Sequence, residues 1–254
     1  MLNIHIAKTT SEKEYNEDVF TYGKDYAMVL DGASGLDKAN RMHTGSDARW
    51  FVVEVMKEIE KHIHDSLPLK SIVKHAIEAL IPLYPVVAKN CMPSGCLSLV
   101  RVLDDIVEYV GFGDSVLMIE TDTGCECLYD HKIEQLDAMA LQALDRLPIL
   151  LNNRNLRNVE GGYCALDLTM DSFSCCIERT WPKSQVHSIA LMSDGFYQLK
   201  EFLKQDTLAF LHTLSEQKEK TLPMLYSLQE QDWPCLLLPR LKKRDDTTIL
   251  FFTL

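Results

Sequence analysis

Tyr26-Ala27-Met28-Val29-Leu30-Asp31-Gly32-Ala33-Ser34-Gly35 is the stretch whose reading decides the fold. Its apolar, β-prone start predicts a short strand that ends at Asp31. Taken singly, Asp-Gly is a common hairpin dipeptide, and a hairpin would be followed soon by a returning strand. Here Ala33-Ser34-Gly35 follows instead, and then a helical pattern from Asp47. The same construction recurs at Leu191-Met192-Ser193-Asp194-Gly195, which leads into the amphipathic Phe196-Tyr197-Gln198-Leu199. Asp245-Asp246 stands just before the β-like run Thr247 to Phe252, and Asp114 lies in Gly111-Phe112-Gly113-Asp114-Ser115 between two such runs. Asp suits strand interiors poorly, so its repeated place at strand edges needs a reason. Converging sheet ends would bring these carboxylates within a few ångströms, where they repel and are costly to keep ionised without cations. Hard oxygen ligands select Mg²⁺ or Mn²⁺, and a backbone carbonyl beside an Asp can complete the shell, which gives Gly32 a purpose.

Working outward, Ile4 and Ile6 alternate with polar neighbours, and Val19 to Tyr22 is β-prone, with a turn at Gly23-Lys24-Asp25. Ala48, Phe51, Val52, Val55 and Ile59 fall on one stripe of a helix, and a second helix is expected from about Leu69 to Leu80. Strand-like runs return at Cys96 to Leu103, Ile106 to Gly111, Val116 to Thr121 and Cys125 to Tyr129. Lys132 to Leu147 reads as helix, and Asn152 to Gly162, dense in Asn, Arg and Gly, as a loop. Ser174 to Thr180 and His187 to Met192 read as strands, Phe196 to Phe210 as helix, and Thr247 to Thr253 as a final strand. Runs of strands separated by runs of helices predict α+β layers with antiparallel sheets, not a doubly wound fold.

The chain has 254 residues, 46% hydrophobic and 25% charged, which suits one globular domain over 1–254. No apolar run approaches the ~20 residues that span a bilayer. Met1 to Thr10 is alternating and polar, so neither a signal peptide nor a membrane partner is expected, and the expected location is cytoplasmic. The net charge of −11 argues against nucleic acid, which needs a basic face. The eight cysteines form no pair of CxxC units, so zinc is not indicated, and the expectation is reduced thiols acting as small apolar residues.

The ordered set Asn16-Glu17-Asp18, Leu30-Asp31-Gly32-Ala33-Ser34-Gly35, Gly113-Asp114-Ser115, Ser193-Asp194-Gly195 and Asp245-Asp246-Thr247-Thr248 resembles the motif series of the metal-dependent Ser/Thr protein phosphatases of type 2C, the PPM family. The resemblance runs from about Ile4 to Leu254 and points to a divergent bacterial-type branch. It implies a four-layer α-β-β-α sandwich of two antiparallel sheets flanked by helices, with metals in a cleft at one end. It further implies that Asp31 bridges two Mg²⁺ or Mn²⁺ ions with the Gly32 carbonyl on one of them. Asp194 and Asp245 would bind the other ion, Glu17 and Asp18 would hold metal-bound waters, and Asp114 would serve a third ion. A flap is implied near 150–180. The implied function is hydrolysis of phosphoserine and phosphothreonine in phosphoprotein partners by a hydroxide bridging two metals ~3.5–4 Å apart.

Two departures bear on activity. Many members place an Arg four residues before the Glu of the first motif; here that position is Lys13, a point charge without a fork. Eukaryotic members often carry His directly after the Asp-Gly of the second motif, where this chain has Ala33. They motivate a second reading, a low-activity or inactive regulatory module on the same fold. A third is a two-metal hydrolase of small-molecule phosphates. His62 and His64 point to different helix faces and read as solvated. Lys242-Lys243-Arg244 beside Asp245, and Arg154 and Arg157 in the expected flap, read as solvated charge or as contacts for an anionic substrate.

Overall fold

The computed structural model describes residues 1–254. Its strands are β1 (Asn3–Thr10), β2 (Asp18–Tyr22), β3 (Tyr26–Ala33), β4 (Ser94–Val102), β5 (Ile106–Phe112), β6 (Val116–Thr121), β7 (Gly124–Leu128), β8 (Ile177–Pro182), β9 (Val186–Met192) and β10 (Thr247–Thr253). The helices are α1 (Asp47–His62), α2 (Leu69–Leu80), α3 (Lys132–Gln142), α4 (Leu147–Asn155), α5 (Asp194–Leu203), α6 (Thr207–Gln217) and α7 (Thr221–Gln231). Two five-stranded sheets run in the orders β1-β10-β9-β6-β7 and β2-β3-β4-β5-β8, and every pairing is antiparallel.

The period of two along each strand sorts side chains between layers. In β3, Met28 and Leu30 face α1 and α2, while Ala27 and Val29 face the other sheet. In β10, Leu250 and Phe252 meet the opposing sheet, while Ile249 and Phe251 pack on α5, α6 and α7. Three large hydrophobic cores result, one between the sheets and one under each helical layer, and a small fourth joins Leu136 of α3 to Tyr163 and Ala165. The α+β reading and the four-layer α-β-β-α arrangement are both present. No helix is long and apolar enough to cross a membrane.

Several boundaries moved. The helix expected over Lys132 to Leu147 stops at Gln142, and α4 restarts at Leu147 with Pro148 in its first turn. The loop expected from Asn152 therefore begins inside a helix. Phe196 to Phe210 divides into α5 and α6, because Lys204 adopts a left-handed conformation at φ 52° and ends α5. One expectation about cysteine is corrected: Cys164 and Cys175 form a disulfide, with Cα atoms 5.8 Å apart, while the other six cysteines are free. The pair lies in the connection between β7 and β8, and only the folding of that connection brings the two together.

Candidate metal centre

The strand ends that carry the acidic residues meet at one edge of the sandwich. Asp18 opens β2 and pairs in register with Asp31 near the end of β3, so the two carboxylates begin on neighbouring strands. Gly32 N–H donates to the Glu17 carbonyl at 3.0 Å, which ties the first motif to the second. On the other sheet the Ser193 N–H donates to the Thr248 carbonyl at 3.1 Å, and the Thr248 N–H to Ser193 Oγ at 3.0 Å. That pair of hydrogen bonds continues the β9–β10 pairing beyond Met192 and fixes where Asp194 and Asp245 leave it. Gly195 is required there, since a Cβ would stand 2.0 Å from the Asp246 carbonyl oxygen. Asp114 follows the β5 end in the turn to β6.

Asp31, Asp114, Asp194 and Asp245 all line one cavity of about 830 Å³, together with Glu17 and Gly32. Its far wall is apolar, formed by Ile133, Leu136, Leu147, Leu150 and Leu151 of α3 and α4. Asp18 sits beneath, 2% exposed, and neither of its carboxylate oxygens has a hydrogen-bond partner; Asp194 Oδ1 is likewise unpaired. Burial pushes the carboxyls of Asp18, Asp31, Asp114 and Asp194 above the usual range, and repulsion among the acidic neighbours adds to it. Asp137 on α3 is raised to about 6 and Glu201 on α5 to about 7, again chiefly by burial and then by nearby acids.

Orphaned buried oxygens and an oxygen-only donor set fit hard divalent cations. The fit is chemical, because no three of these side chains stand close enough to form a ready cage. Ammonium groups occupy part of the space between them. Lys13 Nζ donates to Asp246 Oδ2 at 2.8 Å and lies 3.3 Å from Glu17 and 3.5 Å from Asp245. Burial works against its charge, yet the hydrogen bond to Asp246 and the charge of Asp245 prevail and raise its pKa. Lys242 Nζ bonds Asp245 Oδ2.

The residues expected to bind metal or act with it, Glu17, Asp31, Gly32, Asp114, Asp194 and Asp245, therefore gather at this edge, with Lys13 and Asp18 packed around the cavity's carboxylates. Two arginine readings separate. Arg154 lines the cavity, whereas Arg157 is buried against Asp167 at 2.9 Å and is a structural ion pair. The basic run also divides: Lys243 lies over the Trp233 ring at 4.4 Å and Arg244 over Tyr226 at 5.0 Å, while Lys242 turns inward. Asp246 had no assigned role, although it accepts from Ser11 Oγ, Lys13 Nζ and the Glu17 N–H at 3.0 Å and so anchors the whole first motif. Its adjacency to Asp245 was the available signal. Asp137, in mid-helix, gave none.

No protein-family model matches the sequence, and no curated protein does. Among solved structures, the serine/threonine phosphatase Stp1 from Staphylococcus aureus is similar with a TM-score of 0.61 at 13% identity, over 100% of this chain and 95% of that one. The PPM Ser-Thr phosphatase MsPP from Mycobacterium smegmatis, in complex with cacodylate, is similar with a TM-score of 0.56 at 14% identity, over 100% and 98%. The catalytic domain of PstP in complex with two manganese ions gives a TM-score of 0.53 at 14% identity, over 99% and 97%. At such identities the likeness is one of fold. The chain has the fold of the PPM Ser/Thr phosphatases over its full length.

Proposed function

We propose that the protein is a divalent-metal-dependent phosphomonoesterase, acting on phosphoserine and phosphothreonine in proteins. The observation that carries the reading is the convergence of acidic side chains from both sheets on one cavity, with buried oxygens left unpaired. The manganese in the PstP structure, a protein of the same fold, supports the choice of ion. In this reading Asp31, Asp194 and Asp245 hold two Mg²⁺ or Mn²⁺ ions, with the Gly32 carbonyl beside them and Asp114 at a third position. When bound, the ions supply Lewis acidity that activates water and neutralises phosphoryl charge. Glu17 and Asp18 orient water from the first motif, and Ser34 Oγ, donating to Glu17 Oε1 at 2.9 Å, holds the Glu17 carboxylate in place. Lys13 supplies positive charge at the cavity edge. The segment 150–180, which begins within α4, would act as the flap beside the apolar α3–α4 wall. Leaving-group protonation falls to solvent, since Ala33 has no proton to give.

Purified protein with Mn²⁺ should release phosphate from p-nitrophenyl phosphate and from phosphoserine or phosphothreonine peptides, and lose that activity in chelator. Full activity in Asp194→Asn would overturn the site assignment. A second reading, a weakly active regulatory module, is favoured by one contact: Lys13 is committed to Asp246 instead of standing free for phosphate. Mn²⁺ binding without turnover across a panel of phosphopeptides, sugar phosphates and nucleotides would select it, and turnover of only the small molecules would select the small-molecule hydrolase.

A further inference from the structure

We propose that Lys242 is the protein's built-in counter-cation for this centre, holding Asp245 until a divalent ion displaces it, so that metal affinity is set by competition with lysine. The inference rests on the reading that these carboxylates take divalent cations. Its own support is the placement of one side chain.

Lys242 is the basic residue of its run that faces the acids. Its ammonium bonds Asp245, and it lines the same cavity as Asp31 and Asp194. The loop before it is built to aim it. Asp232 accepts the backbone N–H groups of Leu236, Leu237 and Leu238 at 2.8, 2.9 and 3.0 Å. Asp232 also binds Arg240 Nη1 at 2.7 Å, and Arg240 Nε reaches the Lys243 carbonyl at 3.1 Å. That clamp closes around positions 240–243, while Lys243 and Arg244 are drawn off onto aromatic rings.

The physical consequence follows from charge. Acids gathered in one cavity need a cation, and without one they either repel or take up protons. A lysine supplies a single positive charge on a flexible stem. Because the Lys242 side chain is 58% exposed, it can swing out to solvent when a doubly charged ion arrives. Asp245 would then trade an ion pair for a coordination bond.

The test is calorimetric titration of Mn²⁺ into metal-free protein, paired with thermal melts in chelator and in Mn²⁺. Lys242→Met should bind Mn²⁺ at least about fivefold more tightly than wild type, the scale of one unit charge at ~4 Å when it is screened as in water. It should melt lower in chelator and gain more on adding Mn²⁺. Lys242→Gln should behave alike, which guards against misfolding of one variant. Lys242→Arg, which keeps the charge, should stay near wild type. Lys243→Met removes the same net charge but lies over Trp233, and it should leave Mn²⁺ affinity within about twofold. Unchanged or weaker binding in both neutral Lys242 variants overturns the proposal, as does an equal gain in Lys243→Met. Wild-type protein that binds no Mn²⁺ would overturn the reading of the centre itself, and this inference with it.

Discussion

The centre has two walls of different construction. On the strand side, Asp18, Asp31, Asp194 and Asp245 leave ladders whose register is set by sheet pairing and by the Ser193–Thr248 bonds. On the helical side, α3 buries only Leu136 and Ala140, and α4 buries no residue at all. Each helix start is held only by an aspartate two residues before it, Asp130 on Lys132 N–H and Asp145 on Leu147 N–H, and Leu144, Leu147 and Leu151 are exposed. Rigid strand ends suit groups that must hold a fixed geometry, whereas a lightly anchored wall suits contacts that vary with a partner.

The contrast is open to attack, most forcefully at the carboxylates. Asp194→Asn on the strand side should cost at least about a hundredfold in kcat/KM with Mn²⁺, at or beyond the upper range for outer-shell changes. Asp137→Asn on the helical wall should cost less than about threefold by the same assay, because it alters a flanking charge. Equal losses would erase the distinction between the walls.

Backbone tolerance is the next probe. Gly195→Ala drives a Cβ against the Asp246 carbonyl, which cannot give way, and should destabilise by about 3 kcal/mol in urea titration. Gly161→Ala has nothing within 4 Å and meets only the strain of a positive φ of 73°, so about 1 kcal/mol is expected. The connection from α4 to β8 has one covalent tie. The Cys164–Cys175 disulfide closes a short loop, and its reduction should lower stability by about 2–3 kcal/mol. Unreduced protein unfolded in denaturant should titrate six thiols.

The pH dependence of stability sharpens the comparison further. Asp137 and Glu201 keep their protons up to about 6 and about 7 in the folded protein. The unfolded chain releases them near the ordinary carboxyl values of about 4. Between these limits the folded state binds more protons, so stability in chelator should fall as pH rises from about 4 to about 7. Asp137→Asn with Glu201→Gln should flatten that slope in melts across the range. The smallest effect belongs to the exposed wall: Leu147→Ser should change stability by no more than about 0.5 kcal/mol. It should alter KM for phosphoproteins more than for p-nitrophenyl phosphate.

Much of this was legible in the sequence for identifiable reasons. Strand periodicity and Asp-Gly followed by helix placed Asp194 at a sheet end and Asp31 near one, although β3 runs on past Asp31 to Ala33, and the bounds expected for β10, Thr247 to Thr253, are those observed. The break between α3 and α4 was not legible, since both segments are helix-prone and the interruption comes from how they fold back. Nor was Asp246 as an anchor, because its partners Ser11 and Lys13 lie more than two hundred residues away in the chain.

By itself the sequence determined the layers, through the alternation that sends Met28 and Leu30 one way and Ala27 and Val29 the other. It also determined that acidic residues sit where strands stop. Only the tertiary structure decided which charges face those acids. Lys13 reaches Asp245 and Asp246 from the other end of the chain, Lys242 enters the cavity while Lys243 and Arg244 leave it, and Cys164 meets Cys175. Periodicity is a local property of the chain; the pairing of charges across a cleft is not.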